Sequence, residues 1–77
     1  MDVSVVPHHN RFIVFVSNPS KSLHKLLSKY IDVILSKKQL TKHSMKIVII
    51  KNKRSEEFLE KLKDISNTFE ISRILPN

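Results

Sequence analysis

Apolar residues gather in two short blocks, Arg11-Phe12-Ile13-Val14-Phe15-Val16 and Lys46-Ile47-Val48-Ile49-Ile50-Lys51. Neither block alternates with polar residues, which is how strands covered on both faces read. Ser17-Asn18-Pro19-Ser20 breaks the first block. Leu23, Leu26, Leu27, Tyr30, Ile31 and Ile34 then recur at helical spacing and form one stripe of an amphipathic helix. Ser20 or Asn18 can cap that helix, and Pro19 suits the turn or the first helical position. Residues 36–45 lose the period and carry Lys37, Lys38, Lys42 and His43, so they read as a basic connector around the helix C-terminus.

After the second block, Asn52-Lys53-Arg54 makes a turn, Ser55 caps a second helix, and Glu56 and Glu57 sit in its first turn. Phe58, Leu59, Leu62 and Ile65 give this shorter helix one apolar face, and residues 69–75 alternate enough for a short or edge strand. Val3, Val5 and Val6 precede Pro7-His8-His9-Asn10, which reads either as a short edge strand stopped by proline or, the reading preferred, as a loose N-terminal arm over residues 1–10. Two strands joined through a helix of this length imply a right-handed β-α-β unit with parallel strands. The expected fold is therefore α/β, a minimal β-α-β-α-β sandwich. Its small sheet has parallel central strands, and residues 11–77 form a single domain. No internal repeat or low-complexity segment shows in the sequence.

Composition narrows the chemistry. The 77 residues hold no cysteine and no glycine. The first absence excludes disulfides, thiolate metal sites and thiol redox chemistry in this chain. The second removes Gly-rich phosphate loops and the usual dinucleotide fingerprint. The apolar blocks are too short to span a bilayer, and the N-terminus lacks the pattern of a secretory signal, so no membrane partner and an intracellular location are expected. A net charge of +7 favours anionic partners or solubility.

The run Ser17-Asn18-Pro19-Ser20-Lys21-Ser22-Leu23-His24-Lys25-Leu26-Leu27 resembles the Ser-Asn-x-Cys-x-x-Cys-x-Lys-Leu-Leu segment of the thioredoxin and glutaredoxin superfamily, including divergent members in large DNA viruses. In that register Ser20 replaces the nucleophilic cysteine and Leu23 the resolving one. Two other registers, on Cys-Gly-Pro-Cys and on Ser-Lys-Pro-Ser-Cys, also lack a redox pair. Ile49-Ile50-Lys51-Asn52-Lys53-Arg54 is similar to the second strand and basic turn of the viral members. Leu75-Pro76 falls near the superfamily's cis-proline, with Leu75 in place of the usual Thr or Val. The resemblance implies a thioredoxin-like, cysteine-less domain, cytoplasmic or virion-associated, with its final hairpin and last helix missing.

Two functions follow from different features. The first is a non-catalytic protein-protein interaction or structural module, or a homo-oligomer, whose resemblance-implied binding face is Asn18, Pro19, Ser20, Lys21, His24 and Pro76. The second is a small basic nucleic-acid-binding protein contacting phosphates through Lys21, Lys25, Lys29, Lys37, Lys38, Lys42, Lys51, Lys53 and Arg54. Base-stacking aromatics are scarce, with Tyr30 the single tyrosine and no tryptophan. His24 lies one helical turn from Ser20, but no acid is evident to orient it and no oxyanion hole can be identified. No catalytic residue, metal or cofactor is expected. An oxidoreductase is conceivable only if Ser17, Ser20 or Ser22 stands where a cysteine was replaced. His8 and His9 point to opposite faces of an extended segment without a third ligand at metal spacing. Glu56, Glu57 and Glu60 are read as helix-start charges paired with Lys61 or Lys53.

Overall fold

The computed structural model describes residues 1–72. In chain order the elements are β1 (Asp2–His8), β2 (Arg11–Ser17), α1 (Lys21–Lys29), a 3-10 turn (Ile31–Val33), β3 (Ile34–Thr41), β4 (Ser44–Ile50), α2 (Lys53–Ile65) and β5 (Thr68–Ile71). The strands form one mixed sheet in the order β3-β4-β2-β1-β5. All neighbours are antiparallel except β1 and β5. The chain is thus α/β with two helices, but its centre differs from the expected one. The apolar blocks, β2 and β4, pair antiparallel, because the chain inserts β3 as a further strand before β4 and so reverses once more.

Two segments expected as arm and connector are strands. Val3 and Val5 of β1 are buried, and Pro7 lies beyond the stretch that β5 pairs, where a missing N–H leaves no ladder bond unmade on that side. Residues 36–45 form most of β3 and a tight hairpin into β4, with His43 N–H donating to Thr41 Oγ1 at 3.2 Å. From Leu35 to Thr41 every residue is exposed, as an edge strand rich in lysine can be. The first helix stops at Lys29, earlier than the apolar stripe suggested. Tyr30 leaves helical geometry at φ −113°, ψ 27°, and Ile31 is left 72% exposed.

The architecture repeats even though no repeat shows in the sequence. β1-β2-α1 and β3-β4-α2 are two ββα units, and β2 overlays β4 at an offset of 33 residues. Val14 and Ile47 pair at the centre of the β2-β4 ladder, where an approximate two-fold axis passes between the units. Each strand-to-helix corner is tied to the other unit's hairpin turn by one backbone bond. Asn18 N–H donates to His43 O at 2.7 Å, and Lys51 N–H donates to Asn10 O at 2.9 Å. Asn18 adopts φ 53° at its corner, a left-handed value that asparagine tolerates.

Both helices cover the same face of the sheet. One core joins Val3, Val5, Val14, Val16, Ile47 and Ile49 from the strands to Leu23, Leu27, Phe58, Leu59 and Leu62 from the helices. Tyr30 is buried with its ring 5.5 Å from that of Phe58. The helices start differently. Asn52, not Ser55, caps α2: its side chain accepts from Ser55 N–H at 2.8 Å, and Ser55 Oγ accepts from Asn52 N–H at 2.9 Å. Ser20 caps α1 by position alone, without a side-chain cap bond.

Candidate functional site

Because both helices lie on one side, alternation of side chains leaves the other side of the sheet bare among the described residues. The strand registers place its residues in rows. One row runs Lys38, Lys46, Phe15, Ser4, Glu70 from β3 to β5. The next runs Ser36, Val48, Ile13, Val6. Ile50, Arg11 and His8 follow on one side, and Thr41, Ser44, Ser17, Asp2 and Thr68 on the other. Val6, Ile13, Phe15, Val48 and Ile50 therefore make an apolar strip on an uncovered face. Phe15 is 39% exposed and Ile50 is also exposed.

Charge on this face is segregated. Lys38 and Lys46 lie on the β3-β4 flank, while Asp2 and Glu70 lie on the β1-β5 flank. Beside Phe15 there is a depression of about 210 Å³ whose lining includes Asp2, Ser4, Thr68 and Glu70. Thr68 Oγ1 donates to Asp2 Oδ1 at 2.8 Å, which fixes one wall. The face thus has an apolar centre between a cationic and an anionic flank.

The residues singled out in the sequence lie elsewhere. Asn18, Pro19, Ser20, Lys21 and His24 do gather at the β2-α1 corner; Pro76 is outside the described residues. At that corner the Asn18 N–H is spent on His43, and Ser20 Oγ lies 4.0 Å from Met1 Sδ. No hydrogen bond joins Ser20 to His24 among the described residues, and His24 instead lines a recess with Ile31, Ile34 and Lys37. Leu23, in the resolving-cysteine position of the resemblance, is fully buried in the core.

The basic residues are spread over several surfaces. Lys21 starts α1, while Lys25 and Lys29 border a shallow groove of about 340 Å³ between the helices, with Lys61 and Asp64 across it. Lys37 belongs to the helix-side recess, Lys38 to the bare face and Lys42 to the β3-β4 turn. Lys51 Nζ donates to His9 O at 2.9 Å and lies 5.2 Å from the Phe12 ring centroid. Lys53 begins α2.

Arg54 is turned toward α1. It donates to Asp32 Oδ2 at 2.7 Å and to Lys29 O at 2.8 Å, and stacks over Tyr30 at 4.5 Å. The hydrogen bond it donates to Asp32 raises its pKa above the ordinary arginine value, so this guanidinium acts as a fixed cation clasping the end of α1. Glu57 meets Arg54 at 3.8 Å, a different partner from the lysines expected for the acidic cluster. The His8 and His9 rings stand edge to face at 4.3 Å, and no group of three metal-ligating side chains occurs among the described residues.

The bare face was missed because a continuous apolar run looks the same whether one or both of its faces are covered. The usable signal was the helix count, since two short helices cover only one side of a five-stranded sheet. No described helix is long and apolar enough to cross a membrane. No protein-family model, curated protein or solved structure matches the chain.

Proposed function

We propose that this chain is a protein-protein interaction module that docks its partner on the bare face of the sheet. One observation carries the reading: Val6, Ile13, Phe15, Val48 and Ile50 form a contiguous apolar strip with none of the described residues layered over it, between flanks of opposite charge. The interaction role expected at the β2-α1 corner thus moves to the opposite side of the sheet. Redox chemistry has no part in it.

A second reading, single-stranded nucleic acid, draws on the row Lys38, Lys46, Phe15, in which two cations adjoin an exposed aromatic. It is the weaker one. Phe15 is the single Phe or Tyr on that face among the described residues, because Phe12 and Phe69 register with helix-side residues and Tyr30 and Phe58 are buried.

The test places a photoreactive benzoyl-phenylalanine at position 15 and, as control, at position 60 on the exposed side of α2. A discrete protein adduct from position 15 alone, lost on Ile13→Asp, is the expected result. A nuclease-sensitive adduct would favour the second reading. Equal labelling from both positions would overturn the docking face.

A further inference from the structure

Resting on the docking-face reading, we propose that the occupant of the bare face is a second copy of this chain, stacked sheet to sheet about a two-fold axis that runs along β2. β2 is the middle strand of five, so such an axis leaves it in place and exchanges the flanks. β4 then lies over β1 of the second copy, and β3 over its β5.

The side chains match under that operation. Lys38 lies over Glu70 of the second copy, because both belong to the Phe15 row at opposite ends. Lys46 lies over Ser4, at the depression that Asp2 and Glu70 line. Val48 meets Val6, while Phe15 and Ile13 meet their own mates on the axis. Arg11 also meets its mate, but at an exposed strand end where the guanidinium turns to water.

The charge layout also selects the axis. A two-fold axis in the sheet plane but across the strands would set Lys38 over Lys38 and Glu70 over Glu70. Only the axis along β2 pairs opposite charges on both flanks, and it keeps the strands of the two sheets aligned, as sandwiches do. Five strands at about 4.8 Å and seven residues at about 3.3 Å outline a face of roughly 550 Å² per copy. The total, about 1,100 Å², is at the low end for a specific interface, so a reversible dimer is expected.

Wild type, Lys38→Glu, Glu70→Lys and the double variant are titrated by sedimentation equilibrium from about 1 μM to 1 mM. The runs use about 0.15 M salt, because the net charge of +7 opposes association at low ionic strength. Both side chains are exposed, so each variant retains the fold. The expected result is a dimer for wild type, at least tenfold weaker association for each single variant, and recovery to near wild type in the double variant, where each pair is re-formed with its charges exchanged.

A zero-length carbodiimide cross-link between Lys38 and Glu70 gives a second readout. Within one copy the two residues stand four strands, or about 19 Å, apart, so this link forms only between copies. A wild type that stays monomeric to 1 mM, single variants that associate normally, or a double variant as weak as the singles would each overturn the proposal. A protein adduct from position 15 with a monomeric wild type would overturn self-pairing yet leave the docking face standing.

Discussion

Phe58 and Phe15 are the same residue type on opposite sides of the sheet, and comparing their truncation tests which side is the interior. Phe58 is fully buried and faces the Tyr30 ring at 5.5 Å. Phe58→Ala removes the ring and leaves a cavity that the surrounding strands and α1 fill only in part, a loss of about 3–5 kcal/mol. A domain of this size has about 4–12 kcal/mol in total, at roughly 0.05–0.15 kcal/mol per residue. The substitution therefore removes a large share of the stability. Phe15→Ala acts on a side chain with solvent above it. Truncation opens no cavity and loses mainly cross-strand packing against Ser4 and Lys46, about 1 kcal/mol. Urea unfolding followed by far-UV circular dichroism, at low micromolar protein to disfavour association, measures both. Phe58→Leu, expected to cost up to about 1.5 kcal/mol, preserves the comparison if the alanine variant does not fold. A Phe15→Ala cost equal to or above that of Phe58→Ala would refute the assignment of the bare face.

Other outcomes follow from the caps and the sheet order. Asn52→Ala removes the reciprocal cap of α2 and should lower stability by about 1 kcal/mol, or about 4–8 °C in thermal midpoint. Ser20→Ala should shift stability by less than about 0.5 kcal/mol, because the Ser20 side chain makes no cap bond; an equal drop at both sites would contradict the difference between the two helix starts. In native-state hydrogen exchange the β2 amides, flanked by paired strands on both sides, should be the slowest, with β3 and β5 fastest among the strands. Faster exchange in β2 than in β3 would reject the strand order.

The periodic signals in the sequence led to the right elements where one face was buried and the other wet. The α1 stripe of Leu23, Leu27 and Tyr30 and the α2 set of Phe58, Leu59 and Leu62 are core residues in the fold. The β2 and β4 blocks are strands as expected, and Thr68–Ile71 is a strand in the first part of the segment 69–75 expected to form one, of which 73–75 lie outside the described residues. Topology was the harder part. β1 was read at most as a short edge strand, because Pro7 and the paired histidines look like a chain end, whereas it lies between β2 and β5. β3 was hidden because an exposed edge strand carries lysines and no alternation. Without those two strands, β2-α1-β4 could only be read as a parallel β-α-β unit. The bare face was illegible for a related reason: Ile13, Phe15, Val48 and Ile50 carry the residue types of a core, and only the placement of both helices on one side marks them as surface. Arg54 was grouped with phosphate-binding cations, and its sequence neighbourhood gives no sign of the Asp32, Lys29 and Tyr30 contacts that bring α1 and α2 together.

The parallel pairing of β1 with β5 joins residues at opposite ends of the described chain: Asp2 registers with Thr68, and Asn67 N–H donates to Met1 O at 2.7 Å. On the ribosome, where the N-terminal part emerges first, the hairpin of β1 and β2 is made long before its outer edge has a neighbour. Until Thr68–Ile71 leaves the exit tunnel, β1 presents its ladder groups to whatever extended chain is near. The nascent protein therefore passes through a stage in which the edge later sealed by β5 is open as well as that of β3, and β5, the last of the described strands in chain order, is the one that closes it.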